Sequence, residues 1–218
     1  MSGLFITFEG PDGAGKTTQL RLLADKLAER KHQVLCTREP GGTRISDKIR
    51  ELLLDPANKE MDSRAEALLY AAARAQHVAE IIRPALLANQ IVLCDRFTDS
   101  SLAYQGWGRG LNINTLCEIS NFASDRLQPD MTVLLDVEPK IGNIRMSIRC
   151  GEQRDRIEQE HNVFRERVCQ GFRELAQIHP ARIVHIDANK SINEIHKEIW
   201  IQVERLLAKP GGGHTGED

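Results

Sequence analysis

The stretch with the plainest chemistry is Gly10-Pro11-Asp12-Gly13-Ala14-Gly15-Lys16-Thr17-Thr18. Gly, four residues, Gly, Lys and Thr is the spacing of a phosphate-binding loop. Its glycines let the backbone turn tightly and approach a ligand with no Cβ in the way. The loop amides and the N-terminus of the following helix then form a nest for a polyphosphate. Lys16 has the reach to touch the outer phosphates, and the Thr17 hydroxyl is a ligand for Mg2+. The motif by itself does not say which nucleotide binds or what receives the phosphate.

Other candidates gather at the ends of apolar runs. Ile91-Val92-Leu93-Cys94 leads into Asp95 and Arg96. A carboxylate at such a strand end can hold Mg2+ beside a phosphate loop, directly or through water. A strand-end salt bridge is the plainer alternative. Arg38 and Glu39 open the run Arg-Glu-Pro-Gly-Gly-Thr at the end of another short strand, where they are either site residues or a solvated ion pair. Tyr70 and Arg74 are spaced i, i+4 and share a helix face. One ring and one guanidinium there can hold a base and a phosphate, or the ring can be core. Arg145, Arg149, Arg154 and Arg156 cluster around Gly151 among Glu152, Asp155 and Glu158. Such a segment is either a lid that closes over a polyphosphate or a solvated face of mixed charge.

These residues need elements to position them. Leu4-Phe5-Ile6-Thr7-Phe8 reads as a buried strand before the loop, and Leu20, Leu23 and Leu27 mark one face of a helix after it. Strand patterns recur at 33–37, 91–95, 131–135 and 182–187. Helical patterns lie between them: one through Ile45, Ile49, Leu52 and Leu53, a long tract over residues 63–89 interrupted near Pro84, one through Leu116, Ile119 and Phe122, one over 141–148, and one through Phe164, Val168, Phe172 and Leu175. The last helix opens with a capping box, Ser191 with Glu194, and a core face of Ile192, Ile195, Ile199, Val203 and Leu206. The glycines of residues 106–110 predict a loop. Alternating strands and helices predict a five-stranded parallel sheet covered on both faces. The whole is an α/β fold in one domain, residues 1–208, with a disordered tail over 209–218.

Composition narrows the function classes. A chain of 218 residues with 28% charged and 41% hydrophobic residues has globular values. A net charge of −2 gives no reason to expect a nucleic-acid partner. The absence of a long apolar run or signal segment predicts no membrane association. The five cysteines are scattered without a Cys-x-x-Cys pair, which predicts reduced thiols in a cytoplasmic protein.

Read as blocks, the chain resembles the thymidylate kinase family over nearly its whole length. The resemblance rests on the loop from Glu9 to Thr18, the block Thr37 to Thr43, the segment Leu68 to Gln76, Asp95-Arg96 with the later Tyr104-Gln105, and Asp155-Arg156-Ile157-Glu158. It implies a P-loop nucleoside monophosphate kinase fold with sheet order 2-3-1-4-5 and a short lid at about 149–160. It implies transfer of the ATP γ-phosphoryl group to dTMP, with Mg2+, in a homodimer. By position, Tyr70 takes the place of the aromatic that stacks on thymine. Arg74 and Ser101 match the base edge, Arg38 and Arg96 the acceptor phosphate, and Tyr104 the sugar. Asp12 matches an acidic residue near the acceptor, and Glu39 and Gln105 fall in the same substrate blocks. Lys16 and Arg96 are the implied catalytic cations of the body. The family places a further catalytic cation either inside the loop or in the lid. This chain has Gly13 at the loop position, so the resemblance implies the bacterial form and a lid arginine, Arg149, Arg154 or Arg156. The lid departs from the family pattern by one inserted residue between Gly151 and Asp155, and Trp107 stands where a glycine is common. A kinase for another nucleoside monophosphate and an NTPase switch are the alternative readings.

Overall fold

The central strand, β1 (Leu4–Glu9), is buried at every residue. A strand covered on both faces has no solvated side, so it reads as a mostly apolar run, here broken only by buried Thr7 and Glu9. It pairs in parallel with β3 (Ile91–Asp95) and β4 (Met131–Asp136), and β2 (Val34–Arg38) and β5 (Ile183–Asp187) complete the sheet in the order β2-β3-β1-β4-β5. This is the topology expected from the resemblance. The computed structural model describes residues 3–150 and 155–208, without the side chains of residues 149 and 150.

One face of the sheet packs on α1 (Lys16–Glu29) and α9 (Ile192–Leu207), where Leu23 and Leu27 meet Ile6, Phe8, Ile195 and Ile199. On the other side, Leu134 meets Phe164, Val168 and Phe172 of α8 (Asn162–Ile178). Phe5, Val92 and Phe97 meet Val78 and Ile82 in a third cluster. Register places the ends of three strands side by side, with Asp95 opposite both Phe8 and Arg38. Loops leaving those ends therefore share one crevice, next to the point where the order reverses about β1.

The remaining helices are α2 (Arg44–Leu54), α3 (Ser63–His77), α4 (Arg83–Leu87), α5 (Thr98–Ser101), α6 (Ile113–Ala123) and α7 (Pro139–Cys150). The long tract predicted over 63–89 is α3, a π-helical turn over Val78–Ile82, and α4 with Pro84 in its first turn. The capping box of Ser191 and Glu194 is present.

Two expectations are corrected. Of the loop predicted over 106–110, residues 106–108 close a π-helical stretch, Leu102–Gly108, and only Arg109 and Gly110 lie outside a helix. Gly106 and Gly108 serve close packing there: a Cβ would lie 2.3 Å from Ile113 and 2.6 Å from Phe164. Trp107 fits because Gly171 leaves room for its ring, and its indole N–H donates to Glu174 at 3.0 Å. Ile192 does not belong to the core face of α9, because it sits in the first turn and is 56% exposed. The predicted tail over 209–218 lies outside the described residues.

Candidate active site

The phosphate loop joins β1 to α1. A Cβ on Gly10 would fall 2.2 Å from the carbonyl oxygen of Leu135, so the loop passes the next strand at a distance only glycine permits. Gly15 caps α1 without a side-chain bond, which leaves the first amides of the helix open to an anion. Lys16 lies back over the loop, its Nζ donating to the carbonyls of Gly10 and Pro11 at 2.9 Å each. Burial, with the nearby Arg96 charge, pulls its pKa down to about 8. A ligand phosphate would replace those carbonyls with a charged acceptor.

Thr17 Oγ1 donates to Asp95 Oδ2 at 2.7 Å, on the exposed floor of the same cleft. A hydroxyl and a carboxylate beside a phosphate loop are hard oxygen donors. They fit Mg2+, which keeps several waters and takes the rest of its shell from substrate phosphates.

Arg96 is the hub of the acceptor side. It follows β3 with φ of 75°, in the left-handed region that is costly for a residue with a Cβ. Its backbone N–H donates to Phe8 O at 2.9 Å, and its guanidinium reaches Gly10 O at 3.1 Å, Ser100 Oγ at 3.0 Å, Asp12 Oδ1 at 2.6 Å and the Tyr104 hydroxyl at 3.0 Å. The Tyr104 hydroxyl in turn donates to Asp12 Oδ2 at 3.1 Å. Burial pushes the Asp12 carboxyl up, but Arg96 and Lys16 outweigh it and hold it well below the usual carboxylate range. Asp12 is thus an anion at neutral pH. Behind the hub, buried Glu9 accepts from the amides of Phe97 and Ser100 and from the Ser100 hydroxyl at 2.7, 3.3 and 2.5 Å. Burial and the Asp99 charge push Glu9 up to about 7.

Arg38 and Glu39 are not partners of each other. Arg38 is exposed in the cleft, whereas Glu39 is buried and pairs with Arg74 at 2.8 Å and with His77 at 3.1 Å. Arg74 also donates to Phe97 O at 3.0 Å and Ser101 Oγ at 2.9 Å. Tyr70, one turn earlier on α3, lines the cleft with Arg74. Burial and the Glu66 charge push the Tyr70 hydroxyl above its ordinary value, so it stays neutral. Gln105 lines the cleft but donates to Glu66 at 3.0 Å.

The loop, Arg38, Tyr70, Arg74, Asp95, Arg96, Ser101 and Tyr104 all surround one cleft of about 1200 Å³. Of the lid candidates, Arg149 as a side chain and Arg154 as a whole lie outside the described residues. Arg156 is described and is turned away, its Nε bound to Leu53 O at 2.8 Å and its Nη1 to Glu66 at 2.7 Å.

Sequence reading missed Arg50, His77 and Glu66. Arg50 lines the cleft on α2 and donates to Pro40 O at 2.8 Å; burial and Arg38 pull its pKa below the usual value. Its signal was its place between buried Ser46 and Leu53, where a core-facing helix would carry an apolar residue.

The family model described as thymidylate kinase matches residues 8–199. The thymidylate kinase of Lactobacillus acidophilus is 49% identical over 210 residues, covering 96% of this chain and 97% of that protein. That of Exiguobacterium sibiricum is 52% identical over 209 residues, covering 96% and 98%. The crystal structure of thymidylate kinase from Ehrlichia chaffeensis superposes with a TM-score of 0.76 at 35% identity, covering 94% of this chain and 99% of that one.

Proposed function

This chain belongs to the thymidylate kinase family and phosphorylates dTMP to dTDP with ATP as co-substrate, and from that premise we propose how its residues divide the work. The observation that carries the assignment is Arg96, one guanidinium bonded at once to the phosphate loop at Gly10 and to Asp12 and Tyr104. It joins the donor and acceptor halves of a single cleft.

Transfer needs two anionic phosphates brought in line, with little covalent work by the protein. Lys16 and the loop amides hold the β- and γ-phosphates of ATP. Arg38, Arg50 and Arg96 screen the dTMP phosphate. Asp12 and Tyr104 orient Arg96 and border the sugar. Tyr70 offers its ring face to thymine, while Arg74 and Ser101 meet the base edge, with Arg74 held in place by Glu39. Gln105 borders the same site. Thr17 and Asp95 would hold Mg2+, which would supply positive charge to neutralise the polyphosphate of ATP. A lid arginine, Arg149 or Arg154, supplies the last positive charge at the transferring group. No general base is needed, because the acceptor phosphate is already ionised.

The reading includes one kinase domain over 1–208, a homodimer, and a cytoplasmic setting without nucleic-acid or membrane partners. Exposed apolar side chains on three neighbouring helices support the dimer: Ile45 and Leu52 on α2, Leu68 on α3, and Phe122, 90% exposed, on α6. The free thiols of Cys36, Cys94, Cys117 and Cys169 support a reducing compartment. Among the described residues, no helix is long and apolar enough to cross a membrane.

A coupled assay with ATP and Mg2+ against dTMP, dUMP, dCMP, dGMP and AMP tests the proposal. ADP should form fastest with dTMP. Faster turnover with AMP, or equal ADP release with no acceptor, overturns it.

A further inference from the structure

The segment that leaves the lid, residues 155–160, is tied to the body at two points. Asp155 and Glu158 first close it into a turn: the Glu158 amide donates to Asp155 Oδ1 at 2.8 Å and the Asp155 amide to Glu158 Oε2 at 3.2 Å. Arg156 then reaches the C-terminus of α2. Its backbone N–H donates to Leu54 O at 3.0 Å and its Nε to Leu53 O at 2.8 Å. The last carbonyls of a helix have no intrahelical partner and carry partial negative charge, so a guanidinium suits them. Its Nη1 pairs with Glu66 Oε2 at 2.7 Å. The second tie is Arg109, which pairs with Glu160 at 2.5 Å and with the same Glu66 at 2.9 Å.

Glu66 is therefore a buried junction. It takes Gln105 and Arg109 from one segment, the π-helical stretch and its C-terminal cap, and Arg156 from another. Burial pushes its carboxyl up, but those donors outweigh it and leave the net below the ordinary value. The side chains of Arg156 and Glu66 are 6% and 1% exposed. Residues 66, 70 and 74 lie at successive i, i+4 positions, so this junction shares one face of α3 with the ring and guanidinium of the base site. Asp155, Ile157 and Glu158 line the cleft while Arg156 between them faces the body.

We infer that Arg156 is a positioning residue that anchors the exit of the lid to α2 and α3 through Glu66, and is not the cation that touches the transferring phosphoryl group. If the side chain left that place, buried Glu66 would lose one ion pair while keeping Arg109 and Gln105, and Leu53 O would lose its guanidinium donor. This inference rests on the kinase reading for its catalytic consequence, though not for the anchor itself.

The test is a double-mutant cycle on the full chain with Arg156→Gln, Glu66→Gln and the pair, read by kcat, KM and hydrogen exchange over 155–160 without nucleotide or acceptor. Each single change should lower kcat by up to about 100-fold through misplacement of the lid, with the KM for dTMP held within about threefold, a margin below the usual worth of one hydrogen bond. Each should also lose exchange protection over 155–160, and the pair should be no worse than the worse single variant. Losses in kcat that multiply in the pair, or a large kcat loss in Arg156→Gln with protection intact, overturn the inference. Should Glu66→Gln not fold, protection in Arg156→Gln decides alone. Because exchange is measured without substrates, a wild-type protein inactive on dTMP would refute the kinase reading and leave the anchor standing.

Discussion

A Cβ placed on Gly13 would lie 2.3 Å from the carbonyl oxygen of Gly142 on α7. The phosphate loop and the helix that leads into the lid thus touch backbone to backbone. A Cβ on Gly142 would in turn sit 3.0 Å from Asp12 O. The loop position that lacks an arginine in this chain is one where no side chain fits.

Gly13→Ala should therefore damage the loop twice, through a φ of 80° and through that clash. The kcat/KM for ATP should fall by about 100-fold. Gly13→Arg should fall at least as far, with no gain from the added charge. Steady-state kinetics on either variant at near wild-type rates would contradict this account of the loop.

Tyr104→Phe removes one hydroxyl that touches both Arg96 and Asp12. The KM for dTMP should rise about tenfold, the worth of a hydrogen bond to a charged group. The KM for ATP should hold. A change confined to ATP would move Tyr104 out of the acceptor site.

Glu39→Gln strips the counter-ion from Arg74, whose side chain is 3% exposed. Breaking a buried pair on one side costs about 3 kcal/mol or more. Urea unfolding should show that loss, and the KM for dTMP should rise because Arg74 is no longer held against Ser101. Unchanged stability would mean that His77 or water replaces the carboxylate at no cost.

Much of this arrangement was legible before the fold was known, and the reason is distance along the chain. The phosphate loop, its strand and its helix are contiguous, and Asp95 and Arg96 are neighbours at a strand end. Their roles follow from local spacing. The Glu39, Arg74 and His77 cluster is not local: its bonds span 35 and 38 residues. It exists only once α3 packs beside the loop after β2. Gly106 and Gly108 misled for the same reason, since a turn glycine and a packing glycine look alike until Ile113 and Phe164 are in place. Arg156 looked like its neighbours in a basic run, and only Glu66, distant in sequence, tells it apart.

Lys16 carries the pH dependence of donor binding. Free, its pKa is about 8, because burial and Arg96 disfavour the charged form. A bound polyphosphate favours the charged form and raises that value. Near pH 8 the protein should then take up part of a proton on binding ATP, and affinity should fall as pH rises further. Calorimetry in two buffers of different ionisation enthalpy reads this directly. Proton release, or none exchanged, would contradict the placement of Lys16.

The most direct measurement follows the phosphoryl group itself, using ATP labelled in its γ-phosphate with dTMP, the wild-type chain and Lys16→Ala. The account predicts label in dTDP for the wild type, little as inorganic phosphate, and loss of transfer in Lys16→Ala with the fold intact by circular dichroism. Label released as inorganic phosphate without an acceptor, or full transfer by Lys16→Ala, would contradict it.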